Sequence, residues 1–148
     1  MKTIASCLLA ISLCLVAGTS QSLGATIPAG TVLVVRSLHT ITSVDVVGTP
    51  FPARLESNLT VNGKVVVPAG THFSGKVVTS RRLHHSKDKL TVDLTGIQLH
   101  GRTIPITTTG AQFLYNFSTT RGVPVTRSGY TVAAGKQIHF QLARPVVL

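Results

Sequence analysis

The sequence predicts an all-β protein: a single antiparallel β-barrel or sandwich domain that follows a signal peptide. Three observations carry this expectation. Apolar residues recur at every second position, turn-forming residues interrupt the chain at short intervals, and nothing after residue 25 repeats with the 3.6-residue period of an amphipathic helix.

The leader comes first. Lys2 supplies a positive charge, Ile4 to Ala17 is almost wholly apolar, and Gly18 to Ala25 is small and polar. That order is the layout of a secretory signal peptide, with Ser22 and Gly24 at the small-residue positions before a cut at Ala25. The apolar run is short for a membrane span. Residues 1–24 are therefore expected to be removed, leaving residues 25–148 as one exported domain, periplasmic or extracellular, with no transmembrane helix. Both cysteines, Cys7 and Cys14, fall in the leader. The remaining chain then has no disulfide, thiolate metal site or cysteine nucleophile.

Alternation defines the strands. Phe51, Ala53, Leu55, Leu59 and Val61 share one parity, with Arg54, Glu56, Asn58 and Thr60 on the other. Leu90, Val92 and Leu94 alternate with Thr91, Asp93 and Thr95, and Ile138, Phe140 and Leu142 alternate with His139 and Gln141. One face of each strand then meets a core and the other meets water. Gly96 shifts the second pattern by one residue, as a β-bulge would. Asn62-Gly63 and, more weakly, His100-Gly101 are two-residue hairpin signals. Strands are expected near 31–39, 51–61, 64–67, 72–80, 89–99, 102–107, 111–117 and 136–144. A short phrase recurs ahead of three of them: Ile27-Pro28-Ala29-Gly30-Thr31, Val67-Pro68-Ala69-Gly70-Thr71 and Val132-Ala133-Ala134-Gly135-Lys136. It reads as a reused turn, with proline at the second position and glycine at the fourth. The stretch 108–130 breaks the alternation and gathers Phe113, Tyr115 and Phe117 among Gly, Thr, Ser and Pro.

Charge is the compositional outlier. Fourteen Lys and Arg stand against four Asp and Glu, a formal +10, which becomes +9 once Lys2 leaves with the leader. An excess of this size suits solubility and also attraction to polyanions. It is densest in Arg81-Arg82-Leu83-His84-His85-Ser86-Lys87-Asp88-Lys89, between two expected strands. Arg81, Arg82, Lys87 and Lys89 are the candidate anion-binding residues, since a basic hairpin tip can hold phosphates or other anions by charge-assisted contacts. The tip has no aromatic residue for base stacking.

Catalytic chemistry finds little support. Asp45, Glu56, Asp88 and Asp93 are the only carboxylates. Glu56 and Asp93 are expected on outward strand faces, and general acid–base work needs a desolvated carboxylate beside a partner. No nucleophile elbow, phosphate-cradling glycine loop or metalloprotease histidine pattern occurs. The histidines are scattered, and adjacent His84 and His85 would point opposite ways on a strand. Neither a metal site nor a cofactor is expected.

The order "IPAGTVLVV", "GTPFPARL", "VVVPAGTHFSGKV", "LTVDLTGIQLHGRTIPI" and a closing "YTVAAGKQIHFQLARPVVL" resembles uncharacterised secreted bacterial β-domain proteins. These are related to the C-terminal domain of TrbI-like conjugation and type IV secretion channel proteins. The resemblance covers about residues 26–107 and 130–148 and implies a β-barrel-like fold. In the secretion family that domain assembles into a ring near the outer membrane. The family's helical insertion has no counterpart in 108–130, and its inner-membrane anchor and proline-rich linker are absent, so pore formation is not implied. The expected function is a non-enzymatic exported structural or interaction module of the bacterial envelope, docking to an envelope component or a secretion-type assembly. A polyanion-binding module acting through 81–89 is the alternative. Partner and oligomeric state stay open.

Overall fold

The computed structural model describes residues 24–80, 89–114 and 130–148. Among them there is no helix, every pairing is antiparallel, and the fold is all-β. The strands are β1 (Thr26–Ile27), β2 (Val32–Ser37), β3 (Ile41–Thr42), β4 (Pro50–Leu55), β5 (Leu59–Val61), β6 (Lys64–Val67) and β7 (His72–Thr79). They continue with β8 (Lys89–Leu99), β9 (Arg102–Pro105), β10 (Ala111–Leu114), β11 (Thr131–Val132), β12 (Gln137–Gln141) and β13 (Val146–Val147).

One sheet dominates, in the order β10-β8-β7-β4-β2-β12, with β9 also paired to β8. The sheet curls until its two ends meet at a seam. There Thr108 bridges Leu142, the Thr109 amide donates to the Gln141 carbonyl at 2.9 Å, and the Ala143 amide donates to the Thr107 carbonyl at 2.9 Å. Beyond that contact β10 and β12 remain the two edges of the sheet. The result is a half-barrel, which resolves the barrel-or-sandwich alternative in favour of a single curled sheet.

The alternation explains why the sheet curls around a core. Leu33 and Val35, Phe51, Ala53 and Leu55, Phe73 and Val77, Leu90, Val92 and Leu94, and Ile138 and Phe140 all point inward and are buried. Ile27 and Val146 from the β1–β13 pair, and Ile41 and Val132 from the β3–β11 pair, join the same cluster. Gly75 shares the inward parity and makes room for a neighbour. A Cβ there would stand 2.3 Å from the Phe51 ring, so glycine is what lets that ring fill the centre of the barrel.

Register confirms the bulge. Ser74 faces Gly96 but Gly75 faces Leu94, which leaves Thr95 as the extra residue. Asn62 (φ 52°) and Gly63 (φ 76°) turn the β5–β6 hairpin, and His100 (φ 49°) and Gly101 (φ 74°) turn β8 into β9. Positive φ at both central residues matches the right-handed twist of the strands on either side.

The recurring phrase forms one turn used three times, shifted by a residue from the sequence expectation. The Thr31, Thr71 and Lys136 amides donate back to the carbonyls of Pro28, Pro68 and Ala133. Proline or alanine is thus the first residue and glycine the third, with φ of 82–83° in each copy. That conformation is the one a type II turn demands of its third residue, and glycine meets it without a Cβ clash. Each turn is also fastened to the end of a neighbouring strand. The Gly30, Gly70 and Gly135 amides donate to the carbonyls of Leu142, Leu55 and Ser37 at 2.7, 2.8 and 2.7 Å. Those three residues return their own amides to Thr31, Thr71 and Lys136.

Other expectations need correction. The run 51–61 is two strands separated by Glu56–Asn58, and Leu59 and Val61 are half-buried on the β5–β6 hairpin, which is a separate sheet. Asn58 is held in that break because its side-chain oxygen accepts the Ala69 amide at 2.7 Å. Residues 115–117 of the expected 111–117 strand lie outside the described residues.

Candidate functional site

Of the four candidate anion-binding residues, Arg81, Arg82 and Lys87 lie outside the described residues. Lys89 is the first residue of β8 and faces Leu114 of β10. The strands that flank the segment, β7 and β8, pair as far as Thr79 with Thr91. The segment therefore connects adjacent antiparallel strands, as a hairpin requires.

The loop between β3 and β4 reaches the same rim of the barrel, since the Gly48 amide donates to the Val77 carbonyl at 2.8 Å and the Val77 amide to the Thr49 carbonyl at 3.0 Å. Two successive turns shape it. The Asp45 amide donates to the Thr42 carbonyl, the Asp45 carboxylate accepts the Thr42 amide at 2.6 Å, and the Thr49 amide donates to the Val46 carbonyl. The Ser43 amide adds a bond to the Tyr130 carbonyl at 2.9 Å. On this fixed backbone Val44 and Val46 are each 54% exposed and Val47 38%. The loop thus displays apolar side chains on a backbone held by hydrogen bonds.

The outer face of the sheet carries a second arrangement. Following the register from strand to strand, Gln137 of β12 faces Arg36 of β2, Arg36 faces Arg54 of β4, Arg54 faces His72 of β7, His72 faces Gln98 of β8, and Gln98 faces Thr103 of β9. All of these side chains are exposed. They form one transverse row across six strands, roughly 24 Å long at the usual strand spacing.

Charge is distributed unevenly along the row. Arg36 grips Glu56 with both Nε and Nη2, the latter at 2.6 Å, and donates through Nη1 to the Gly135 carbonyl at 3.0 Å. The hydrogen bonds from Arg36 hold the Glu56 carboxyl below its ordinary pKa, against partial desolvation, and the same pairing raises Arg36. Arg54 has no carboxylate partner among the described residues; its Nη2 lies 3.4 Å from His72 Nε2.

The described carboxylates are all engaged. Asp45 caps its own turn, Glu56 is held by Arg36, and Asp93 accepts the Thr108 hydroxyl while Thr108 accepts the Leu94 amide at 3.2 Å. Glu56 and Asp93 are consequently half-buried, less outward than alternation alone suggests. His39, His72, His100 and His139 are exposed, and no group of metal-ligating side chains comes together among the described residues. A shallow depression beside β1, lined by Ala25, Thr26, Val61, Asn62, Lys64 and Val66, has Lys64 as its one charged residue. No helix among the described residues is long and apolar enough to cross a membrane.

No family model matches the chain, and no curated protein matches it. Among solved structures the chain is similar to ComB10 of the Com type IV secretion system of Helicobacter pylori. The two are 14% identical, with 84% of this chain and 90% of that chain covered, at a TM-score of 0.49.

The row and the valine loop escaped the sequence analysis for different reasons. Arg54 and His72 are eighteen positions apart, and only the β4–β7 register makes them neighbours. Val44, Val46 and Val47 were legible as apolar residues beside Gly48 and Pro50, yet a short apolar run looks the same whether it is buried or displayed.

Proposed function

We propose that this chain is an exported, non-enzymatic structural and interaction module of the bacterial envelope, docking to an envelope component or to a secretion-type assembly. The observation that carries the reading is the engagement of Asp45, Glu56 and Asp93 in turn, clamp and seam contacts, which leaves each of them occupied with holding the fold. The valine loop supplies an apolar surface for a partner, and the leader pattern and motif order supply the compartment and the likeness to secretion proteins. Cell fractionation with N-terminal sequencing tests the exported state. The expected mature start lies between Gln21 and Ala25, and membrane-embedded protein with an intact Met1 would overturn it.

A second reading, polyanion binding through Arg81, Arg82, Lys87 and Lys89, is supported by the pairing of the flanking strands and by the overall +10 charge. Replacing Arg81, Arg82 and Lys87 with Ser should lower the salt needed for elution from heparin, because released counterions drive such binding. The control is Lys64, Lys136 and Arg144 to Ser, of equal net charge. Equal elution of the two variants would reduce the tip to part of a diffuse positive surface.

A further inference from the structure

We infer that the β1–β13 pair guards the leader cleavage site, so that the cut before Ala25 has to be made before β13 docks on β1. The inference rests on the signal-peptide reading and adds an order of events to it: cleavage first, closure second. In the cut, a signal peptidase hydrolyses the Gly24–Ala25 amide with one water, leaving a carboxyl group on Gly24 and an amino group on Ala25. A chain whose β1 and β13 pair before the cut keeps its leader.

The first support is what lies across that bond. Thr26 and Ile27 pair with Val147 and Val146, and the Leu148 amide donates to the Ala25 carbonyl at 2.9 Å. The Leu148 carbonyl oxygen lies 2.5 Å from where a Cβ on Gly24 would stand, so the backbone on both sides of the bond lies against residues 146–148. Burial alone does not protect it, since Gly24 is exposed and Ala25 half-buried. Pairing does. An extended peptide is recognised through the backbone groups along its edge, and β13 already occupies one edge of this segment. Ala25 and Thr26 also line the depression shared with Val61, Asn62, Lys64 and Val66, which puts the β5–β6 hairpin beside the same segment.

The second support is the anchorage of the pair. Ile27 is fully buried and Val146 is 6% exposed, both in the main core cluster, so opening the pair exposes apolar surface to water. Val147, the next residue, is 66% exposed. Alternation therefore sets an anchoring position beside a free one, and both are remote in sequence from the cut.

The test treats the full chain, folded in mild detergent, and a synthetic peptide of residues 1–30 with purified signal peptidase. The peptide should be cut before Ala25, and the folded chain about 100-fold more slowly, because cleavage of a paired segment follows the small population of its open form. Val146→Asp leaves the residues around the cut unchanged and should bring the folded chain to within about ten-fold of the peptide. Val147→Asp, of equal charge change, should be cut as slowly as the parent. Order of addition gives the same answer without a substitution. Chain diluted from urea straight into peptidase should be cut far faster than chain allowed to fold first. A peptide left uncut before Ala25 would overturn the leader reading, and the inference with it. A peptide cut there beside a folded parent cut at the same rate would overturn the inference alone. So would equal protection in Val146→Asp and Val147→Asp with the sheet spectrum intact in both.

Discussion

The β7–β8 ladder and the seam between β10 and β12 hold the same curled sheet by different means. The ladder joins strands of eight and eleven residues, and its inward side chains Phe73, Val77, Leu90, Val92 and Leu94 are buried to within about one per cent of their surface. The seam has one bridge, two backbone hydrogen bonds and the Thr108 hydroxyl lodged between Asp93 and the Leu94 amide. Further along, Tyr130 stacks on Phe113 with ring centres 5.1 Å apart and lies under the Lys136 ammonium at 5.5 Å. The ladder is held by a long run of paired, buried residues, and the seam by one bridge and a few contacts around it. Stability and closure are therefore separable, and substitutions should distinguish them.

The largest effect is expected from Leu94→Asp, which places an unpaired charge in the core beside the ladder. A loss of roughly 4 kcal/mol or more in chemical denaturation is expected. Its neighbour Thr95 is the bulged residue, and its hydroxyl donates to the Ser74 carbonyl at 3.1 Å. Thr95→Val should therefore cost about 1 kcal/mol, small but measurable. Equal losses at 94 and 95 would mean that the inward face is misassigned.

Next in size is Gly75→Ala. Its Cβ would collide with the Phe51 ring, and overpacking of this kind costs about 1–3 kcal/mol. Phe51→Leu in the same chain should recover part of that loss, so a double-mutant cycle should show strong coupling. Additive effects would argue against the contact.

Thr108→Val probes the seam itself. It leaves the buried Leu94 amide without its acceptor, and a loss of about 1–2 kcal/mol is expected. The comparison sharpens in hydrogen exchange: amides in the 107–109 and 141–143 segments should lose protection while those of the β7–β8 ladder keep theirs. Uniform loss would show that seam and ladder open together.

The smallest effect belongs to Glu56→Gln, which weakens the outer clamp between Arg36 of β2 and the residue that follows β4. Because pairing with Arg36 depresses the folded-state pKa of Glu56, its contribution is present above the ordinary carboxylate range and fades as pH falls through the lowered value. Denaturation of the parent and of the variant should differ slightly near neutral pH and converge in acid. A difference that grows in acid would contradict the clamp.

The same contrast explains what could be foreseen. Long strands advertise themselves, since Leu90-Thr91-Val92-Asp93-Leu94 repeats its alternation often enough to fix which face is inward, and Gly96 marks where the register slips. The pairs β1–β13 and β3–β11 have two residues per strand, too few to show any period, and their partners lie far away in sequence. The seam was invisible for a related reason: Thr108 and Leu142 meet only because the sheet curls. The turn phrase was seen but misplaced by one residue, because proline is at home in several turn positions while a positive φ at glycine is revealed only by the backbone. Among candidate site residues, Arg81, Arg82 and Lys87 stood out by density along the chain. Arg54 and His72 needed the register to become neighbours.

Under the proposed function, this chain works by contact, through surfaces that a buried scaffold holds in place. In-cell photo-crosslinking from position 46 tests it most directly, because Val46 is exposed on a loop whose backbone is fixed by hydrogen bonds at Thr42, Val46, Val77 and Tyr130. With a photoreactive residue there, irradiation should give a discrete adduct of higher mass, while the same residue at Asn62, on the exposed β5–β6 turn, should give none. An unmodified chain from position 46, or equal smears from both positions, would contradict the claim.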